Sequence, residues 1–414
     1  MILAQPASAA QRPWPVVLAG MVALAVAMGI GRFAFTPILP MMLADGVIDL
    51  AGASWLASAN YLGYLLGAVL CTFQPMVWRR MGWASAINGP AMVLLGLAVT
   101  VVVTAGMALH WPVIWPLLRF LAGVASALVF VYLAGWCLAR LAQLQVPDMG
   151  ALIFVGPGAG IVLSGLAAGA LVALQGSAAV GWLVFGVLAA GLTALVWPVL
   201  ARSAATTARP APSQHVSDPV ATGAPHGQLE MALLALAYGL AGLGYIISAT
   251  FLPVIARQAI PGSRWLDLFW PIFGLGIMLG ALVASRIRTA SDLRMRLVVC
   301  YVLQACGVAM GLVWPTSAGF ALGSLLLGAP MTAITYFAMQ EVRRLSPQQP
   351  AAMMGMLTAV YGLGQVLGPP LAAAFLAHTA SADAGFSYAL MVGAGALVLG
   401  ALLYGVMMRR FPIR

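Results

Sequence analysis

The sequence predicts an all-α polytopic membrane protein with twelve transmembrane helices in two pseudo-symmetric six-helix bundles. Composition is the first reason: 63% of the 414 residues are hydrophobic and 7% charged, against roughly a quarter charged in a soluble chain, and the mean hydropathy is +1.02. The second is that apolar runs long enough to cross a bilayer, about 20 residues, recur along the whole chain. The third is a repeat. Gly29-Ile-Gly-Arg-Phe-Ala-Phe-Thr-Pro-Ile-Leu-Pro40 returns, altered, as Gly242-Leu-Gly-Tyr-Ile-Ile-Ser-Ala-Thr-Phe-Leu-Pro253, with one offset relating Gly29 to Gly242, Gly31 to Gly244 and Pro40 to Pro253.

Taken in order, the spans fall near 16–42, 54–78, 83–105, 111–140, 148–174, 180–201, 230–256, 266–287, 294–314, 317–343, 351–377 and 386–408. Turn signals separate them: Asp45-Gly46, Arg79-Arg80-Met-Gly82, His110-Trp-Pro112, Pro147-Asp148, Pro261-Gly262, Trp314-Pro315 and Ser346-Pro347. The two repeat copies read as glycine-loosened helices, each ended by its proline. Residues 202–229 are rich in Pro, Ala, Ser and Thr without apolar period and read as a solvated linker. The expected organisation is therefore a first bundle over 1–201, a linker over 202–229 and a second bundle over 230–414. Further on, Gly123 matches Gly328 and Gly150 matches Gly355 at a slightly shorter offset. Two parallel six-helix repeats fit a pseudo-two-fold axis along the membrane normal.

The net charge of +10 does not indicate nucleic acid. Every basic residue is arginine, and most sit in short loops on one side, among them Arg140, Arg286, Arg294, Arg343, Arg344, Arg409 and Arg410. The opposite loops hold Arg257 and Arg264 together with Asp45, Asp49, Asp267 and Asp383. By the positive-inside rule both termini and the linker are cytoplasmic. The residues before the first span include Ala-Ser-Ala-Ala but no preceding apolar segment, so no cleaved signal is expected. Cys71, Cys137, Cys300 and Cys306 fall in apolar runs without metal spacing and read as small core residues. No metal and no cofactor is expected.

Arg32 lies 16 residues into its span, about 24 Å at 1.5 Å per residue, and Arg119 lies in the same outer half. Charges at such depth mark functional sites by default. No Asp or Glu lies deep in any span to balance them, so the pattern points to a visiting anion, for which the guanidinium fork is suited. The competing reading is that each arginine bonds backbone carbonyls and holds helices together. Polar residues at helical spacing extend the candidate substrate site: Asn60 and Tyr64, Tyr245 and Ser248, Tyr336 (with Thr332 and Gln340), and Tyr361 and Gln365. Such residues also join helices to one another. Glu341, at the inner end of its span beside Arg343 and Arg344, reads either as an interfacial ion pair or as a proton-coupling carboxylate.

Local strings carry a resemblance. Arg119-Phe-Leu-Ala-Gly123 and Gly156-Pro-Gly-Ala-Gly160 resemble span-four and span-five motifs of the major facilitator superfamily. The loop Pro75-Met-Val-Trp-Arg79-Arg80-Met-Gly82 is similar to its gate loop after span two, though without the leading glycine and the aspartate, so the usual charge latch is not expected there. The opening stretch, together with Ala57-Ser-Ala-Asn60-Tyr-Leu-Gly-Tyr64 and Ser248-Ala-Thr-Phe-Leu-Pro253, resembles the YbfB/YjiJ-type branch. The resemblance implies a transporter of the bacterial inner membrane working by alternating access, with Arg79, Arg80 and Gly82 in a cytoplasmic gate loop. The expected substrate is a small anionic organic solute, with or without protons, and the alternative is efflux of hydrophobic drugs. The expected partners are that solute and the lipid bilayer, with the chain a monomer. Intramembrane enzyme motifs such as His-Glu-x-x-His or Gly-x-Ser-x-Gly are absent from the sequence, so catalysis is not expected.

Overall fold

A computed structural model describes residues 13–81, 88–207, 225–287, 292–346 and 350–413. Among them, twelve helices are long and apolar enough to cross a membrane: Trp14–Ala44, Leu50–Gln74, Gly89–Gly106, Pro112–Gln143, Asp148–Ala173, Ala178–Ala205, Gly227–Ala259, Leu266–Arg286, Leu293–Val313, Ser317–Leu345, Met353–His378 and Ala382–Arg410, hereafter spans 1 to 12. The described residues contain no strand. An even number of spans brings both chain ends to one end of the bundle, here the terminal end; the opposite is the far end.

Most boundaries fall near those expected, and the departures have local causes. Span 3 begins at Gly89 rather than 83, where the Asn88 side chain accepts from Ala91 N and Pro90 fills the first turn. Span 12 begins at Ala382 because Ser381 caps it through Ala384 N. The helix of span 6 continues to Thr207 and that of span 7 starts at Pro225, both inside the range read as linker; 208–224 lie outside the described residues. Pro40 and Pro253 do not end their helices, which run on to Ala44 and Ala259. A spanning helix tolerates an interior proline when the freed carbonyl is satisfied by its surroundings. The turns at Gly46 and Gly262 form as expected, both glycines at positive φ, 66° and 77°.

The repeat is visible in how helices touch. A Cβ on Gly63 would lie 2.0 Å from Phe120 O, and one on Gly123 2.0 Å from Asn60 O, pressing span 2 onto span 4. In the second half Gly276 meets Leu325 O at 2.7 Å and Gly328 meets Phe273 O at 2.3 Å, pressing span 8 onto span 10. These are the same pairs under the repeat offsets. Small residues that bring backbones together take the place of a hydrophobic driving force between helices in lipid. The match fails at Gly150, which packs on Leu138 in its own half, whereas Gly355 packs on Thr72 of the other half.

The halves meet along spans 2 and 11 and along spans 5 and 8, where Gly158 and Gly274 place backbone against backbone. The last part of span 1 also packs on span 7, whereas spans 4 and 10 make no extensive contact. Four side-chain hydrogen bonds between described residues cross from one half to the other. They are Arg32 to Gln365, Thr36 Oγ1 to Ala249 O (2.9 Å), Ser58 Oγ to Val366 O (3.1 Å) and Tyr61 with Thr250 (2.9 Å). All involve the far half of span 1 or span 2, so the bundle is bonded shut toward its far end.

Candidate substrate site at the seam between the halves

Span 1 is not a continuous α-helix. Ala25–Ile30 is a π-helical segment, in which Gly31 N reaches Val26 O (2.8 Å) and Phe33 N reaches Met28 O (3.1 Å), and an α-helix resumes at Phe35. Proline explains the turn that follows the π segment. Pro37 has no N–H to give to Phe33 O, and Thr36 N takes that carbonyl instead (3.2 Å). Arg32 O thereby loses its usual helical donor. Arg119 of span 4 supplies one: its Nη2 donates to Arg32 O (2.9 Å) and its Nη1 to Gly31 O (3.2 Å). Asn60 of span 2 in turn donates to Arg119 O (2.9 Å). Arg119 also lies 5.0 Å from the Phe35 ring. Arg119 and Asn60 are thus occupied in holding the broken turn together.

That turn aims Arg32 at the seam. The residue is 3% exposed. Its guanidinium lies 3.9 Å from the centre of the Tyr64 ring and 5.3 Å from those of Phe33 and Tyr61, a set of cation–π contacts worth about 0.5–2 kcal/mol each. Its Nη2 donates across the seam to Gln365 Oε1, and Gln365 Nε2 donates to the Tyr245 hydroxyl. Tyr245 stacks on Tyr361 (5.9 Å), which stacks on Tyr238 (4.6 Å). The structure therefore brings together five predicted residues, Arg32, Tyr64, Tyr245, Tyr361 and Gln365, with Asn60 and Arg119 immediately behind them. Among the described residues no carboxylate pairs with Arg32 or Arg119. Two buried guanidiniums facing only neutral groups leave an excess of positive charge that an anion would offset.

Ser248 and Tyr336 are placed elsewhere. Ser248 lines a void of about 20 Å³ inside the second bundle, with Leu252, Gly307 and Ser324. Tyr336 accepts from Gln340 Nε2 (3.0 Å) and is 37% exposed. Arg80 is exposed at the end of its helix; Arg79 lies in the same helix, and Gly82 lies outside the described residues.

Glu341 is fully buried within an ion cluster at the terminal end. Arg344 Nη2 bridges Glu341 (2.7 Å) and Glu230 (2.6 Å). Arg294 bonds Glu230 (3.0 Å), Asp292 (3.0 Å) and the carbonyls of Met407 and Phe411, and stands 3.8 Å from Glu341. The cluster ties spans 7, 9, 10 and 12 together. Burial pulls the Asp292 carboxyl up, but Arg294, through side-chain and backbone hydrogen bonds and its charge, outweighs this and holds it below its ordinary value. Sequence reading paired Glu341 with the neighbouring arginines but did not join Glu230, Asp292 and Arg294 to them, because these sit at helix starts that looked like loop edges. It also missed Tyr61, Thr250 and Tyr238; Tyr61 and Tyr238 stand three residues before Tyr64 and seven before Tyr245, spacings that put each on its partner's helix face.

Comparison with known proteins now adds the family. A family model described as "Uncharacterised MFS-type transporter YbfB" matches residues 24–405. No curated protein matches. Among solved structures, the crystal structure of the nucleoside transporter NupG superposes with a TM-score of 0.64 at 15% identity, covering 97% of this chain and 99% of that one. An aspartate-to-alanine mutant of the same transporter gives a TM-score of 0.65 at 15% identity over 95% and 99% of the two chains. At such identity the likeness concerns the fold alone.

Proposed function

The chain belongs to the family described as MFS-type transporter YbfB, and from that premise we propose that it carries a small organic anion across the membrane by alternating access, with Arg32 as the anchor. One observation carries the charge of the solute. Arg32 is buried at the seam between two halves that must part, and it is held there by an amide and by aromatic rings rather than by a carboxylate. When the halves separate, the amide leaves with span 11, and a buried cation without a partner is costly. A carboxylate or phosphate on the solute supplies that partner through two parallel hydrogen bonds. The rings of Tyr64, Tyr245 and Tyr361 favour an aromatic or otherwise flat body attached to the anionic group.

Arg119 serves in this account by holding the backbone turn that presents Arg32, and not by touching the solute. Glu341, bonded to Arg344 and close to Arg294, acts as part of an ion lock on the second bundle rather than as a proton carrier. The arginine bias supports placing the terminal end in the cytoplasm of a bacterial inner membrane. With spans 4 and 10 making no extensive contact and the cross-seam hydrogen bonds gathered at the far end, the path to Arg32 opens on the cytoplasmic side and is sealed toward the outside. The proposed division into bundles over 1–201 and 230–414, with a linker between, gives the two bodies that rock.

Flux of small carboxylates, phosphates and uncharged nucleosides into proteoliposomes tests the reading. Anion flux is expected from the native chain, reduced in Arg32→Lys and lost in Arg32→Gln. Native rates in Arg32→Gln would make Arg32 structural.

A further inference from the structure

Under the repeat, Arg32 corresponds to Tyr245 and Thr36 to Ala249, and Gln365 corresponds to Gly160 at the shorter offset. Gln365 therefore occupies an unusual place. It bonds both members of one symmetry-related pair, Arg32 through its oxygen and Tyr245 through its nitrogen. Its own counterpart, Gly160, has no side chain and lies against Gly29. The bridge is thus made once, from the second half only, and it sits next to the far-end bonds of Thr36 with Ala249 and of Tyr61 with Thr250.

We infer that Gln365 is a solute-released latch: its amide oxygen holds Arg32 while the site is empty of solute, and an anionic oxygen of the solute replaces it, freeing span 11 and unsealing the far end. The inference rests on Arg32 as the anchor. The exchange is possible because an amide and a carboxylate offer the same acceptor geometry, and directional because the charged acceptor is the stronger one. It explains why the bridging residue is a glutamine. A glutamate there would pair permanently with Arg32, and an aliphatic residue would leave the seal unheld. Binding from the terminal side then drives opening at the far side, since the solute binds better where the cross-seam bond is already broken. The latch makes solute a requirement for far-end opening, so the empty carrier closes readily but rarely opens outward, and net uptake from the far side, which needs that empty opening step, is slower than exchange.

The labelling arm of the test needs no known solute. Ser58, which bonds Val366 O across the seam, is changed to cysteine in a chain whose Cys71, Cys137, Cys300 and Cys306 are alanine, and its labelling by a membrane-impermeant methanethiosulfonate is timed in proteoliposomes. With Gln365→Leu, labelling is expected to rise by about tenfold or more, the equilibrium shift for losing one hydrogen bond to a charged group. With Gln365→Glu it is expected to fall below the native rate, which also excludes a general loosening by substitution at 365. Equal labelling in the native chain and Gln365→Leu overturns the latch while leaving the anchor standing if Arg32→Gln has lost flux. Flux retained by Arg32→Gln overturns the anchor, and with it the exchange at Arg32, whatever the labelling gives.

Discussion

Span 1 and span 7 begin from related sequences and end with different shapes. Both hold Gly-x-Gly followed by a proline nine residues on, and both bring a glycine against a partner backbone. A Cβ on Gly29 would lie 2.4 Å from Gly160 Cα, and one on Gly242 would lie 2.3 Å from Tyr361 O. Yet span 1 is broken through a π segment and a turn, while Pro225–Ala259, which contains span 7, is one α-helix. The turn, though not the π segment, traces to one position. Pro37 of span 1 corresponds to Thr250 of span 7. Proline removes an N–H, shifts the hydrogen-bond ladder and exposes the carbonyls that Arg119 then takes. Threonine keeps the ladder, and its hydroxyl shares a hydrogen bond with that of Tyr61 across the seam. The partner on the neighbouring span follows suit: Arg119 corresponds to Ser324, which bonds Phe320 O in its own helix. One half has thus become a rigid mount for a charge, and the other a smooth surface that closes against it.

This contrast can be broken at several points. The largest effect is expected at the charge itself. Arg32→Gln should weaken solute binding by about 100-fold or more, as two charge-assisted hydrogen bonds are lost. Tyr245→Phe, at the matching place, removes one neutral bond to Gln365 and should cost about tenfold or less; equilibrium binding of the solute identified by flux checks both. Next comes the mount. Arg119→Met should lower stability by about 3 kcal/mol, because the carbonyls of Gly31 and Arg32 would be left buried without donors, whereas Ser324→Ala should change it by less than about 1 kcal/mol. Thermal unfolding in detergent measures the pair, and equal losses would contradict the asymmetry.

Where the halves are alike, the effects should be alike. Gly29→Ala and Gly242→Ala each push a methyl into a facing backbone and should each cost about 1–3 kcal/mol; a large loss in one alone would mean that the two crossings are not equivalent. The smallest effect concerns the ion cluster, which has no described counterpart in the first half. Asp292 has a folded-state pKa below its ordinary 3.8. Its contribution is present above that value and fades as the pH falls through the lower, folded value. The drop in unfolding temperature between about pH 5 and pH 3 should therefore be smaller in Asp292→Asn than in the native chain.

The sequence made the two-fold plan readable because glycine spacing is imposed by backbone contact, and a contact between backbones leaves its mark at a fixed offset in both copies. It also marked Arg32, since a charge in an apolar run is conspicuous whatever its neighbours. The function of Arg119 was not separable from that of Arg32, because both look alike in sequence and differ only in whether a carbonyl stands within reach. The expectation that Pro40 and Pro253 end their helices fails, since both helices run past them, and the interruption of span 1 lies instead at Pro37, which has no counterpart in span 7. Beyond Glu341 and Arg344 the ion cluster is not legible in the sequence, because its members come from four helix ends spread between Glu230 and Phe411, and nothing local links Glu230 to Arg344.

The central claim is that the first repeat carries a solute-binding cation and the second does not. Thermal unfolding of the purified native chain, Arg32→Gln and Tyr245→Phe against one panel of small carboxylates, phosphates and nucleosides tests it directly. The account predicts that at least one anion raises the unfolding temperature of the native chain and of Tyr245→Phe, and that none does so for Arg32→Gln. Stabilisation of Arg32→Gln by the same anion, or of the native chain by uncharged nucleosides alone, would contradict it.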